Sequence, residues 1–458
     1  MSINKSSTIV NDLTEGSVFR KLIIFAVPMI IANLLQTLYN MVDMIVIGQF
    51  VGSTGLSAVS VGADIAHLPA AFALGFGNAG QVIISQFVGA GDKKSTSRTV
   101  GTLFSFVLLG AVLFTVIGVL FIDTFLAMMN TPAEAFELAK IYCLTCFAGM
   151  VFNFGYSLVS AILRGMGDSR HPLMFIAIAA VTNLVLDLIF VAIFGLSTFG
   201  AALATVIAQA LSFISAIVFL YRHREAFGFD FRRESFKPDR FIFGKLIKLG
   251  IPMSFQTAAI LTSMMVVNAF VNVYGVIASA VNGIGNKLAL VMSIASNSLT
   301  TTGATMIGQT LGARKTDRVT RIFNISMLLN MSFGSLLSAA IIFFPNDIFG
   351  LFNTDVRVLE MAVRFIPFAV MGYMGYALRT PFFSLMYGIG FSKMNLAVGL
   401  IDGVLCRIGL AMLLGLKAGM GIEGFWLGSA LAGFVPVLLI GPYYFSGKWK
   451  TRKLFTAA

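Results

Sequence analysis

Charge is scarce in this chain. Asp, Glu, Lys and Arg make up 11% of its 458 residues, against about 25% in an ordinary soluble domain. Three histidines and three cysteines are scattered along it, too few and too dispersed for a zinc cluster or a disulfide framework. Cys143, Cys146 and Cys406 lie in apolar stretches, an odd number with no metal-ligand spacing. No Walker A lysine motif and no H-E-x-x-H is present, so ATP-driven transport and zinc hydrolysis both lack their parts. GFGNAG at 75–80 fits G-x-G-x-x-G, but it follows no strand and lies in an apolar helical stretch, where small residues let helices approach. The polar start, MSINKSSTIVNDLTEGSVFRKL, has no cleavable signal pattern.

What the chain has in quantity is apolar length. Hydrophobic residues are 57% of it and the mean hydropathy is +0.90. An uncharged apolar run of roughly 18 residues or more reads as a membrane-spanning helix. Twelve such spans are expected, over 20–47, 54–88, 97–123, 135–163, 171–195, 199–222, 242–272, 276–308, 318–344, 357–387, 393–416 and 422–446. The net charge of +12 is distributed in a way that excludes a nucleic-acid surface. Of 32 Lys and Arg, 25 fall in alternate connections and the tails, eight of them between Arg222 and Lys248. The intervening loops near 48–55, 123–134, 195–200, 273–277 and 344–356 carry almost none. This positive-inside bias puts both termini in the cytoplasm and requires an even number of spans.

The two halves echo each other. FAVPM (25–29) answers LGIPM (249–253), QFVGA (86–90) answers QTLGA (309–313), and RGMGDS (164–169) answers YGIGFS (387–392), at separations of 223 or 224. GAALAT (200–205) answers GIEGFW (421–426) at 221. An internal duplication follows: an amino-terminal lobe over 1–222, a cytoplasmic linker over 223–241 and a carboxy-terminal lobe over 242–458. With six spans per repeat, the pseudo-two-fold axis is expected along the membrane normal, and a substrate site between lobes near the midplane would work by alternating access.

Asp43 interrupts the stretch TLYNMVDMIVIGQFVG (37–52), and Asp187 lies equally deep in span five. A carboxylate at a helix centre costs about 2.5–3.5 kcal/mol or more, which makes an intramembrane acid a functional candidate by default. Asn183 and Asp187, four apart, share a helical face, and Thr205 lies inside span six. Together these four residues offer an all-oxygen set for a hard cation such as Na⁺. They suit a proton equally, because two neighbouring buried carboxyl groups do not both stay ionised and titrate as a unit. The competing reading is that the acids only lock helices together through polar neighbours. Asp64 and His67 in span two are left outside the site.

These landmarks together resemble the multidrug and toxic compound extrusion (MATE) family over the whole chain. Within it, the pattern Pro28, Gln36, Tyr39, Asp43 with Asn183 and Asp187 is similar to the DinF-like branch. The resemblance implies an all-α, two-lobed, twelve-span transporter, not an enzyme. It would expel amphipathic, mostly cationic drugs in exchange for H⁺ or Na⁺ and need no other cofactor. It implies a coupling-ion site at Asp43, Asn183, Asp187, Thr205 and a carbonyl of Ala201. It further implies a hydrogen-bond network through Pro28 and Tyr142, and drug contacts at Gln36 and Tyr39. Pro28 physically supports a bend, since it removes one helix hydrogen bond. A monomer in a bacterial plasma membrane, with small-molecule and lipid partners, completes the expectation.

The second half departs from branches with an acid in span seven, where this chain has Gln256. Val267 stands where Asp43 repeats, and the repeat of Asp187 falls near Arg407. Lys287, Arg379, Asp402, Arg407 and Glu423 are expected to pair internally or snorkel, with a sharper alternative in which Arg379 or Lys287 favours anionic groups. A lipid-linked oligosaccharide flippase of similar architecture is the competing function; catalysis lacks a nucleophile, base and orienting group set together.

Overall fold

The computed structural model describes residues 11–452, 454 and 455. Among them there is no strand. The chain divides into two compact units. One comprises Val27–Gly250 with the described residues before Leu13; the other comprises Leu13–Ala26 and Ile251 onward. The breaks at Val27 and Ile251 each fall one residue before a proline, Pro28 or Pro252.

The first unit is built on α1 (Val18–Phe50), α2 (Ser53–Gly89), α3 (Lys93–Met128), α4 (Ala133–Ala148), α5 (Met150–Gly165), α6 (Arg170–Asp187) and α7 (Ser197–Arg222). A one-turn helix, α8 (Arg224–Phe227), opens the polar connection. The second unit repeats the plan with α9 (Arg240–Asn272), α10 (Val276–Gly312), α11 (Thr316–Phe343), the short α12 (Pro345–Gly350) and α13 (Val356–Gly388). It ends with α14 (Ser392–Val398), α15 (Arg407–Met412), α16 (Ile422–Ala432) and α17 (Val435–Phe445). Among the described residues, eleven helical stretches are long and apolar enough to cross a membrane, and α4 with α5, bent by 49°, makes the twelfth. The span expected over 135–163 is therefore broken at Gly149. A Cβ at that position would drive into the side chain of Val206 on α7. Only glycine permits that approach.

The duplication extends to backbone geometry. α1 and α9 both have 33 residues, and α2 and α10 both have 37. Positive φ recurs in register at Gly52 and Gly275, at Gly91 and Arg314, and at Gly167 and Gly390. In the RGMGDS turn, Gly167 (φ 88°) leaves room for the Asn11 backbone, whose N–H donates to the Met166 carbonyl at 3.1 Å. Wide π turns also recur, at Leu188–Ile193 after α6 and at Leu413–Lys417 after α15. Such turns cluster at functional positions in helices.

The polar connection after α7 packs on the first unit. Phe229 stacks on Phe104 of α3 and Phe236 meets that ring edge-on, and the Thr102 hydroxyl accepts from the Asp239 N–H at 3.0 Å. The apolar window of α2 covers Pro69–Gly89, which puts Asp64 in the part of the helix before it. The side chain of His67 lies outside the described residues.

Candidate functional site

Asp43 lies on α1, where it is 7% exposed. Asp187 closes α6 just before the π turn and is fully buried. The structure brings these two carboxyl groups within hydrogen-bonding reach of each other. Neither finds a donor among the described residues for its innermost atoms: Asp43 Oδ1 and both Asp187 oxygens are buried and unpartnered. Two ionised carboxylates are acceptors only and cannot bond to one another. A proton or a small cation between them removes both the repulsion and the orphaned lone pairs.

Asn183, one turn before Asp187, is buried and donates from Nδ2 to Thr205 Oγ1 on α7 at 3.3 Å. That bond aligns α6 with α7 and leaves the Asn183 amide oxygen as an acceptor. Carboxylates, an amide oxygen and a hydroxyl thus occur within one small region, a donor set that fits Na⁺ as well as H⁺. Ala201, fully buried, sits one turn before Thr205 on α7. Tyr142 on α4 is buried and stands within electrostatic range of Asp43, as do Tyr39 and Cys146. Pro28 is not part of this cluster; fifteen residues of α1 separate it from Asp43, about 22 Å along a helix.

Gln36 and Tyr39 face a cleft. Gln36 Nε2 donates to the Tyr39 hydroxyl at 3.3 Å, and both residues line a cavity of about 50 Å³ that also touches Asn183 and Thr205. A second cavity of about 140 Å³ shares Gln36, Tyr156 and Ser157 with the first and reaches Arg164. Arg164 is tied to Gln81 Oε1 at 3.0 Å. Five polar lining residues were missed from the sequence: Asn153, Tyr156, Ser157, Gln209 and Ser212. Asn153 and Gln209 were findable by the rule that singled out Asp43, since each is a polar side chain inside an apolar span. Ser and Tyr carry no such signal.

In the second unit Arg379, Asp402, Arg407 and Glu423 pair. Asp402, fully buried inside a π turn (Gly399–Cys406), accepts from Arg407 at 3.3 Å and lies 4.0 Å from Arg379. Arg364 binds Glu423 at 2.6 Å. This is the internal pairing expected for Arg379, Asp402, Arg407 and Glu423. Val267 is buried and apolar where Asp43 repeats, so the second unit holds no copy of the acid pair.

Two six-span units with matching turns, one of them carrying a buried acid pair beside a polar cleft, define a duplicated multi-span membrane transporter. The sequence profile of the MatE family matches the chain twice, over 28–189 and 252–413. The chain belongs to the MatE family. It is 28% identical over 459 residues to the probable multidrug resistance protein YoeA of Bacillus subtilis strain 168, covering 99% of each. It is also 28% identical to the probable multidrug resistance protein YpnP of the same strain, covering 97% of this chain and 99% of that one. Its fold superposes on an outward-facing multidrug resistance MATE family transporter of the MOP superfamily with a TM-score of 0.88 at 20% identity, over 99% of this chain and all of the other.

Proposed function

We propose that the protein is a cation-coupled antiporter that exports amphipathic, mostly cationic drugs across a bacterial plasma membrane, with both termini in the cytoplasm. The observation that carries this reading is the facing pair Asp43 and Asp187, buried in apolar helices with oxygens that no donor among the described residues satisfies. Such a pair binds H⁺ or Na⁺ strongly when closed and is costly when empty, which is the property coupling needs. Gln36 and Tyr39 line a small cleft of about 50 Å³ beside it, and Gln36 also lines the second cavity of about 140 Å³. A cation held at the pair and a drug held in the cleft compete for one lobe, so that inward cation flow drives outward drug flow. The acid pair with Asn183 supports a DinF-like member. The relatives' names favour drug efflux over the flippase reading, and transport rather than catalysis is the activity this site supports.

The test is drug efflux from reconstituted vesicles under a pH gradient or a sodium gradient, each imposed alone. Asp43→Asn is expected to abolish gradient-driven efflux while leaving expression and the melting temperature near those of the parent. Full coupled transport by that variant would reject the role of the pair; the gradient that drives the parent protein identifies the ion.

A further inference from the structure

The second unit has a cavity of its own, of about 100 Å³, bounded by Asn268, Asn282, Tyr373, Arg407, Trp426 and Ser429. The buried polar groups left unmet along it can all donate. The Arg407 Nε–H, the Trp426 Nε1–H and the Tyr373 hydroxyl are all buried without a hydrogen-bond partner. These three residues are 3%, 5% and 2% exposed. Guanidinium and indole N–H groups donate and cannot accept, so two of the three groups can be satisfied only by an acceptor. Three orphaned donors along one cavity cost about 1–3 kcal/mol each if left unmade.

Charge points the same way. Arg379 and Arg407 flank the single carboxylate of Asp402, leaving one excess positive charge buried in a membrane-spanning unit. Stacking of the Arg379 guanidinium 3.9 Å over the Tyr376 ring offsets part of that charge. No carboxylate is among the described residues that line the cavity. Aromatic rings form part of its walls: Phe365 and Phe368 pack on Trp426 at centroid distances of 5.0 and 6.0 Å.

We propose that the second unit holds an anion-binding site, built on Arg407, Trp426 and Tyr373, that takes the carboxylate or phosphate head of an amphipathic aromatic molecule. It is independent of the acid pair in the first unit and would extend the range of cargo beyond cations. The same head chemistry occurs on free organic anions and on anionic lipids.

The protein contains two tryptophans, Trp426 and Trp449. The Trp449→Phe variant leaves Trp426 as the sole reporter in the full chain. Its fluorescence, excited at the red edge, is followed in nanodiscs while benzoate, phenyl phosphate or benzylammonium is added. A saturable change with the two anions, at least about tenfold tighter than with benzylammonium, is expected; tenfold is about 1.4 kcal/mol. Equal response to the amine, or no saturable response to any of the three, overturns the proposal. Removing Arg407 alone breaks its 3.3 Å contact with Asp402, leaves only the 4.0 Å contact to Arg379, and endangers folding. The variant of choice therefore neutralises the whole triad, as Arg379→Gln, Asp402→Asn and Arg407→Gln together. It should fold and lose the preference for anions; a folded triple variant that keeps the preference also overturns the proposal. Nanodiscs of phosphatidylcholine alone and with added phosphatidylglycerol separate the two sources. Weakening of benzoate by phosphatidylglycerol identifies a lipid head at the site, and unchanged benzoate binding identifies a free anion.

Discussion

At the scale of single residues, the acid pair works only if its surroundings hold the two carboxyl groups in place. Asn183 supplies much of that constraint, and it does so by giving its amide proton to Thr205. Thr205→Val removes the acceptor but keeps the shape, so a buried amide is left unmade at a cost of about 1–3 kcal/mol. The expected outcome is a lower melting temperature and roughly tenfold weaker apparent affinity for the coupling cation, read from efflux against cation concentration, with Thr205→Ser near the parent. An unchanged affinity in the valine variant would detach Thr205 from the site. Asp43, Asn183 and Asp187 were legible in the sequence because polar groups deep in apolar spans are costly enough to need a reason. Tyr156 and Ser157 were not, because either residue type is at home in a membrane helix without any ligand. The orphaned donors of Tyr373 and Trp426 were equally silent: an unmet hydrogen bond is a property of neighbours, not of residue type.

At the scale of elements, the fourth span shows where hydropathy stops informing. Its composition reads as one continuous helix over 135–163, yet α4 and α5 meet at 49° around Gly149. With 45 glycines in the chain, one more inside an apolar run is no signal of a break. The cause is a neighbour: α7 approaches closely enough that Val206 occupies the space a Cβ would need. Gly149→Ala should therefore overpack this contact and cost about 1–3 kcal/mol. Gly149→Ala with Val206→Ala should recover most of the loss, because the clash is pairwise. Melting temperatures of the two variants in detergent check this; additive losses would show that the glycine serves backbone conformation instead. The π turns after α6 and α15 were unreadable for a related reason, since an extra residue per turn leaves the apolar pattern almost intact.

At the scale of the whole molecule, the duplication was plain in the sequence, since four landmarks recur at separations of 221 to 224. The assignment of Leu13–Ala26 to the second unit was not, because membership of a unit is decided by long-range contacts such as Leu13 N–H with Gln309 Oε1 at 3.0 Å. Duplication without a second acid pair has an energetic consequence. With Val267 in place of an acid, the described residues hold one such pair, and two neighbouring carboxyl groups share one proton more readily than they release or bind two. On the antiport reading proposed above, one cation then enters for each drug that leaves. For a monovalent cationic dye no net charge crosses the membrane, so voltage drops out of the balance. Each unit of pH gradient supplies about 1.36 kcal/mol, a tenfold dye ratio. In proton-driven vesicles, clamping the voltage at zero with valinomycin and equal potassium should leave dye efflux unchanged, whereas collapsing the pH gradient with nigericin should stop it. A dye ratio that instead grows with voltage, by up to about 2.3 kcal/mol per 100 mV, would mean that a second cation enters in each cycle and that one shared proton does not describe the pair.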